Sequence, residues 1–158
     1  MKIVYCAALV FCCTVGFVGC SQKSDTKPAA STPKASADAP HTHGAGPNGG
    51  VIFDLGKYHA EFTVEHPKQQ CMILVIGADE KTPTAVAVSE FTLTTKETKT
   101  ADGKVVPPMT IPMKAQDVVD GKATKFVGTD PGLGNVADFE GVVIGEIEGK
   151  PSQGQFKE

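Results

Sequence analysis

The sequence predicts an all-β fold, an antiparallel β-sandwich spanning residues 49–158, and three observations carry that expectation. Apolar residues recur with a period of two: in residues 57–64, Tyr58, Ala60, Phe62 and Val64 share one face, while Lys57, His59, Glu61 and Thr63 share the other. Short segments of this kind are separated by turn signals such as Asp102-Gly103, Asp120-Gly121 and Glu148-Gly149-Lys150. Roughly a hundred residues are also enough for a single domain with one modest core. Sandwiches of this size include the immunoglobulin-like arrangement.

Taken in order, residues 57–64 read as a half-buried strand. Residues 70–76 are apolar at nearly every position from Cys71 to Ile76, as in a central strand covered on both sides. Asp79-Glu80-Lys81-Thr82-Pro83 supplies a turn. Further strands are expected at 84–88, 90–95, 109–115, 123–127, 141–148 and 153–156. Pro107, Pro108 and Pro112 assign the 109–115 strand to an edge or a bulge, because proline cannot donate to a ladder. Asp130-Pro131, ahead of Leu133, Val136 and Ala137, can cap and open a single turn or short helix crossing between the two sheets. The expected core includes Tyr58, Phe62, Ile73, Val75, Phe91, Leu93, Ile111, Phe126, Val143 and Ile147.

The N-terminus obeys different rules. Met1-Lys2 is followed by an uncharged apolar run from Ile3 to Phe17, then Val18, Gly19 and Cys20. This has the basic, apolar and small-residue regions of a signal peptide. The run, about 17 residues with its flank, is at the lower limit for a membrane span, and Ser21-Gln22-Lys23-Ser24-Asp25 follows instead of a basic stop-transfer cluster. Cleavage after residue 19 is therefore expected. Phe17-Val18-Gly19-Cys20 resembles the lipobox of bacterial lipoproteins, with Phe17 standing where leucine is usual. Among the competing cysteines, Cys6 lies too early, and Cys12 and Cys13 follow bulky or wrong residues. The resemblance implies a lipid-carrying Cys20, palmitate among its acyl chains, and Ser21 at the next position favouring the outer membrane, facing the periplasm.

Residues 20–48 then form a tether rich in Ser, Pro, Ala and Lys, whose first twenty residues contain no aliphatic side chain larger than alanine. Such a segment buries too little apolar area to offset the entropy of ordering it. Twenty residues of coil span on the order of 25 Å. Lipidation of Cys20 leaves Cys71 as the one other cysteine beyond the signal, so no disulfide framework is expected. Cys71 reads either as a buried small hydrophobe or as a soft metal ligand, and its apolar neighbours favour burial.

Composition excludes several partners. All fifteen basic residues are lysine, arginine is absent, and the formal net charge is −3. Without arginine the chain lacks the side chain best suited to bidentate phosphate and base-edge contacts, which argues against nucleic acid and phosphoryl substrates. There is no Gly-x-Ser-x-Gly elbow, no His-Glu-x-x-His helix and no phosphate-binding loop. The chain is therefore read as not an enzyme.

One constellation points to metal chemistry. His41-Thr42-His43 places two imidazoles on the same side of an extended segment, just before Gly44 to Gly50, and His59 and His66 follow in the domain. Neutral imidazole suits Cu, Zn and Ni, but two ligands make a weak site, so His59 and then His66 are the expected additions. Met109, Ile111 and Met113 line one face of a strand, where core packing is favoured over thioether ligation of Cu(I). The run from His43 to Gly50 followed by Tyr58-His59-Ala60-Glu61 is similar to a His-Gly-Pro-x-Gly-Gly…Tyr-His-Ala-Glu segment of small bacterial lipoproteins, also found beside some heavy-metal efflux adaptor proteins. Here Ala45-Gly46 intervenes between His43-Gly44 and Pro47. The resemblance implies a periplasmic context and metal handling. Two functions are thus expected: a metal-binding accessory protein, or a non-catalytic module that presents its surface to an envelope protein partner.

Overall fold

A computed structural model describes residues 43–158. The expected signal peptide, the lipidated Cys20, most of the tether and His41 lie outside the described residues. Ten strands follow in chain order: β1 (Val51–Leu55), β2 (Tyr58–Glu65), β3 (Gln70–Ile76), β4 (Glu90–Thr95), β5 (Thr98–Lys99), β6 (Val105–Val106), β7 (Thr110–Gln116), β8 (Lys125–Thr129), β9 (Glu140–Ile147) and β10 (Lys150–Lys157). Eight of them form one antiparallel sheet in the order β1-β2-β3-β8-β7-β4-β9-β10, and β5 and β6 pair separately as a small ribbon. The meander β4-β7-β8 has β9 returning beside β4, which is a Greek key. Because β2 pairs with both β1 and β3, the strand order is not that of an immunoglobulin domain, where the second and third strands lie in different sheets.

The sheet curls around a single main core until β10 packs beside β1, giving a sandwich closed like a barrel. Glycine makes that closure possible. A Cβ at Gly154 would lie 2.2 Å from the Asp54 carbonyl oxygen and 2.6 Å from the Phe53 ring. Inside, the Phe62 and Phe156 rings stack with centroids 4.1 Å apart, and Phe91 meets Phe126 edge-on at 4.6 Å. Ring pairs in these geometries add about 0.5–1.5 kcal/mol beyond the area they bury. Every expected core residue is buried except Tyr58, which is half-buried and packs against the core from its rim.

Turn chemistry sets the registers. Glu148 (φ 52°) and Gly149 (φ 76°) both have positive φ, the requirement of a type I′ two-residue hairpin, and β9 pairs with β10 from Ile147 opposite Lys150 onward. Asp130 accepts a hydrogen bond from the Gly132 amide at 2.7 Å and caps a 3-10 turn, Pro131–Gly134, which carries the chain from β8 to β9. A helical turn is the element expected there, but β8 and β9 belong to one sheet, so it does not cross between two.

Three expectations are corrected. Residues 84–88 do not form a strand: Thr84 donates to the Val75 carbonyl at 2.9 Å, while Val86 and Ala123 exchange two bonds. Partners change within two residues, so no ladder accumulates. The strand containing Pro112 is interior, between β4 and β8, and not an edge. The Thr95 amide bonds the Met109 carbonyl, so by alternation Pro112 falls opposite Thr92 in a non-hydrogen-bonded pair. On its other side the ladder to β8 covers only Lys114 to Gln116, so the missing amide has no bond to lose. Finally, β1 and the β5–β6 ribbon were not among the expected strands.

Candidate metal site

Residues 43–50 lie against the domain. Ala45 bridges Val51, the Gly46 amide bonds the Gly50 carbonyl at 2.9 Å, and Gly49 adopts φ 80°, so Pro47-Asn48-Gly49-Gly50 forms the turn its composition suggests. The turn is anchored from below. Glu61, expected on the polar outer face of β2, is fully buried, and its carboxylate accepts hydrogen bonds from the Asn48 amide at 2.8 Å, Asn48 Nδ2 at 2.7 Å and the Gly50 amide at 2.9 Å. The loop sits so close that a Cβ at Gly46 would lie 2.4 Å from the Glu61 carboxyl carbon. Glu61 shares a face with His59, as the period-two pattern requires, but the loop covers it. Anchoring the loop holds His43 beside His59.

Three segments converge at that point. His43 comes from the loop before β1, His59 from β2, and Glu80 from the connection between β3 and β4. Each offers one ligand atom, and these atoms all lie within 4.8 Å of one another. His43 Nδ1 is 2.7 Å from Glu80 Oε1, His59 Nε2 is 3.8 Å from the same oxygen, and the two imidazoles meet edge-on with centroids 5.2 Å apart. Asp54, directly opposite His59 in the β1–β2 register, adds a second carboxylate: Oδ1 is 3.3 Å from His59 Nε2, and Oδ2 is 3.6 Å from His43 Nε2.

The connection carrying Glu80 is locally locked. The Gly77 amide bonds the Thr82 carbonyl, the Glu80 amide bonds the Gly77 carbonyl, and the Asp79 carboxylate accepts from the Lys81 and Thr82 amides and from the Thr82 hydroxyl. These bonds, led by those from Thr82, hold the Asp79 carboxyl down at about 2, because they favour the charged form. Glu80 itself sits at φ 56°, a left-handed conformation that costs a non-glycine residue on the order of 1 kcal/mol and that the surrounding turn maintains.

His59 Nδ1 lies 3.3 Å from the Gly77 carbonyl oxygen. A carbonyl can only accept, so this contact selects the tautomer with its proton on Nδ1 and turns the Nε2 lone pair toward Glu80 and Asp54. Backbone carbonyls orient metal-bound histidines in this way. Two imidazole nitrogens and carboxylate oxygen form a borderline-to-hard donor set. Such a group can hold a metal ion.

The expected ligands are therefore divided. His43 and His59 come together. His66, in the 3-10 turn His66–Lys68 after β2, is seven residues from His59, about 20 Å along an extended chain. Its Nδ1 bonds the Leu133 carbonyl at 2.8 Å. Cys71, Met109 and Met113 face the core, with Cys71 Sγ 3.5 Å from Met113 Sδ, and burial pushes the Cys71 thiol up to about 12. No soft donor joins the site among the described residues. Glu80 and Asp54 were missed: Glu80 reads in sequence as one polar residue of a turn, and Asp54 becomes a neighbour of His59 only once β1 is paired with β2. No family model, curated protein or solved structure matches the chain.

Proposed function

We propose that this protein is a lipid-anchored protein of the cell envelope that binds a divalent transition-metal ion, Zn(II), Cu(II) or Ni(II), through His43, His59 and Glu80, without catalysing a reaction. The observation that carries the metal reading is the convergence of these three side chains from separate segments, with the Gly77 carbonyl orienting one imidazole. Envelope anchoring is supported by the signal-like N-terminus and the lipobox-like Phe17-Val18-Gly19-Cys20. The polar composition of the segment after Cys20 supports a tether, and Ser21 favours the outer membrane, facing the periplasm.

Calorimetric titration of residues 21–158 with Zn(II), Cu(II) and Ni(II) tests this. Micromolar or tighter binding is expected, weakening in acid because protonated imidazole, with an ordinary pKa of about 6.5, cannot ligate. Replacing His43 and His59 together by alanine should abolish it. Absence of binding, or its survival in the double variant, rejects the site.

A second reading, a non-catalytic module docking an envelope protein, is favoured by Val118 and Val119. These are exposed side by side in the β7–β8 connection, at 55% and 69%. Under that reading, charged substitutions at both positions abolish partner capture and leave metal binding unchanged.

A further inference from the structure

The three-residue group leaves the coordination number open, and its neighbour on β1 speaks to it. We propose that Asp54 supplies a fourth protein ligand, so that two imidazoles and two carboxylates enclose the ion and no coordination position remains for water or substrate. The inference rests on metal binding at His43, His59 and Glu80.

Asp54 and His59 are a cross-strand pair, so their side chains leave the sheet on the same face. Ligands at about 2.0–2.2 Å from a tetrahedral zinc are about 3.3–3.6 Å from one another, the edge of the tetrahedron. Asp54 Oδ1 is 3.3 Å from His59 Nε2, and Oδ2 is 3.6 Å from His43 Nε2. The first separation matches that edge; the second reaches the nitrogen of His43 opposite the one that contacts Glu80, so one Asp54 oxygen is placed to ligate and the other to accept a hydrogen bond from His43. The alternative role for a carboxylate near a metal-bound histidine is to accept a proton from its non-ligating nitrogen. On His59 the Gly77 carbonyl already occupies that position. Toward His59, Asp54 Oδ1 instead faces Nε2, the nitrogen that ligates, which is where a co-ligand belongs, while Oδ2 takes the outer role toward His43 Nε2.

Charge agrees with geometry. Two carboxylates and two neutral imidazoles carry −2 and balance a divalent ion. A closed four-coordinate site retains metal or stiffens the fold; a hydrolytic zinc site keeps a position for water. Asp54 thus separates metal retention from metal catalysis.

The test compares the mature wild-type protein with Asp54→Asn and Asp54→Ala, using Zn(II) affinity by chelator competition and the visible spectrum of the Co(II)-substituted protein with and without azide. The wild type should give the intense bands of tetrahedral Co(II), unchanged by azide. Asp54→Ala should bind Zn(II) at least about tenfold more weakly, the lower end of what even outer-shell partners contribute, and its Co(II) spectrum should respond to azide entering the vacated position. Asp54→Asn keeps the side chain's shape and should fall between. Unchanged Zn(II) affinity and Co(II) bands in both variants, or an azide response in the wild type, overturns the proposal while leaving metal binding intact. Failure of the wild type to bind either ion removes the metal site altogether.

Discussion

The Glu61 carboxylate receives three hydrogen bonds from two residues of the loop that carries His43, and it does so with no exposure to solvent. A glutamine here keeps one acceptor oxygen and turns an NH2 group toward donors that have no other use for it. Glu61→Gln should therefore lower unfolding stability by about 2–3 kcal/mol in urea denaturation, the cost of losing charged hydrogen bonds and leaving buried donors unsatisfied. It should also weaken metal binding, although Glu61 touches no metal ligand, because His43 loses its support. Asp79 acts on the opposite side of the site through the bonds that hold its carboxyl at about 2 against an ordinary 3.8. A folded-state pKa depressed in this way adds stability above the unfolded value and loses it as pH falls through the folded one. The contribution should fade between about pH 4 and pH 2, and Asp79→Asn should flatten the acid limb of a stability–pH profile in that window. An unaltered acid limb would show that the turn before Glu80 is held by its backbone bonds alone.

At the scale of elements, the closure of β10 on β1 matters most to the site, since β1 carries Asp54 and pairs with the strand carrying His59. Gly154 permits it by having no side chain where the Asp54 carbonyl and the Phe53 ring approach. The ring can shift but the carbonyl belongs to a paired strand, so relief must come from moving β10. Gly154→Ala should cost about 1–3 kcal/mol, as over-packing does, read as a lower urea midpoint with an unchanged slope. Zn(II) affinity should fall with it. A variant of wild-type stability would mean that β1 and β10 are more loosely joined than the structure indicates.

For the whole molecule, we propose a lipid-carrying Cys20 followed in sequence by a polar tether and the β-domain, with the metal site formed in part by His43, the first described residue. Bound metal would then fasten residue 43 to β2 and to the β3–β4 connection. Cys20→Ser should leave unprocessed precursor and stop incorporation of labelled palmitate, measured in cells grown with the label. Normal labelling of that variant would remove the lipoprotein assignment and leave the metal site untouched. The cysteine among the described residues, Cys71, is buried in the core beside Met113, and a thiol pushed up to about 12 should resist alkylation until the protein unfolds.

What the sequence determined by itself was the β class, most of the strands and nearly all of the core. A strand's side chains alternate with a period of two whatever its partners, so residues such as Phe62, Leu93 and Val143 declare their burial locally. The hairpin at Glu148-Gly149 was legible for the same reason: positive φ is a property of the residues in the turn. Pairing decided the rest. Pro112 is tolerated in an interior strand because of its phase relative to Thr92, and Glu61 is buried because a loop eleven to fifteen residues earlier folds over it. The site shows the same division. His43 and His59 announced themselves by chemistry, whereas Glu80 and Asp54 are ordinary surface acids in sequence. Only the register of β1 with β2 and the locked turn after β3 bring those carboxylates to the imidazoles, because ligand geometry depends on distances between segments and these exist only once the sheet has closed.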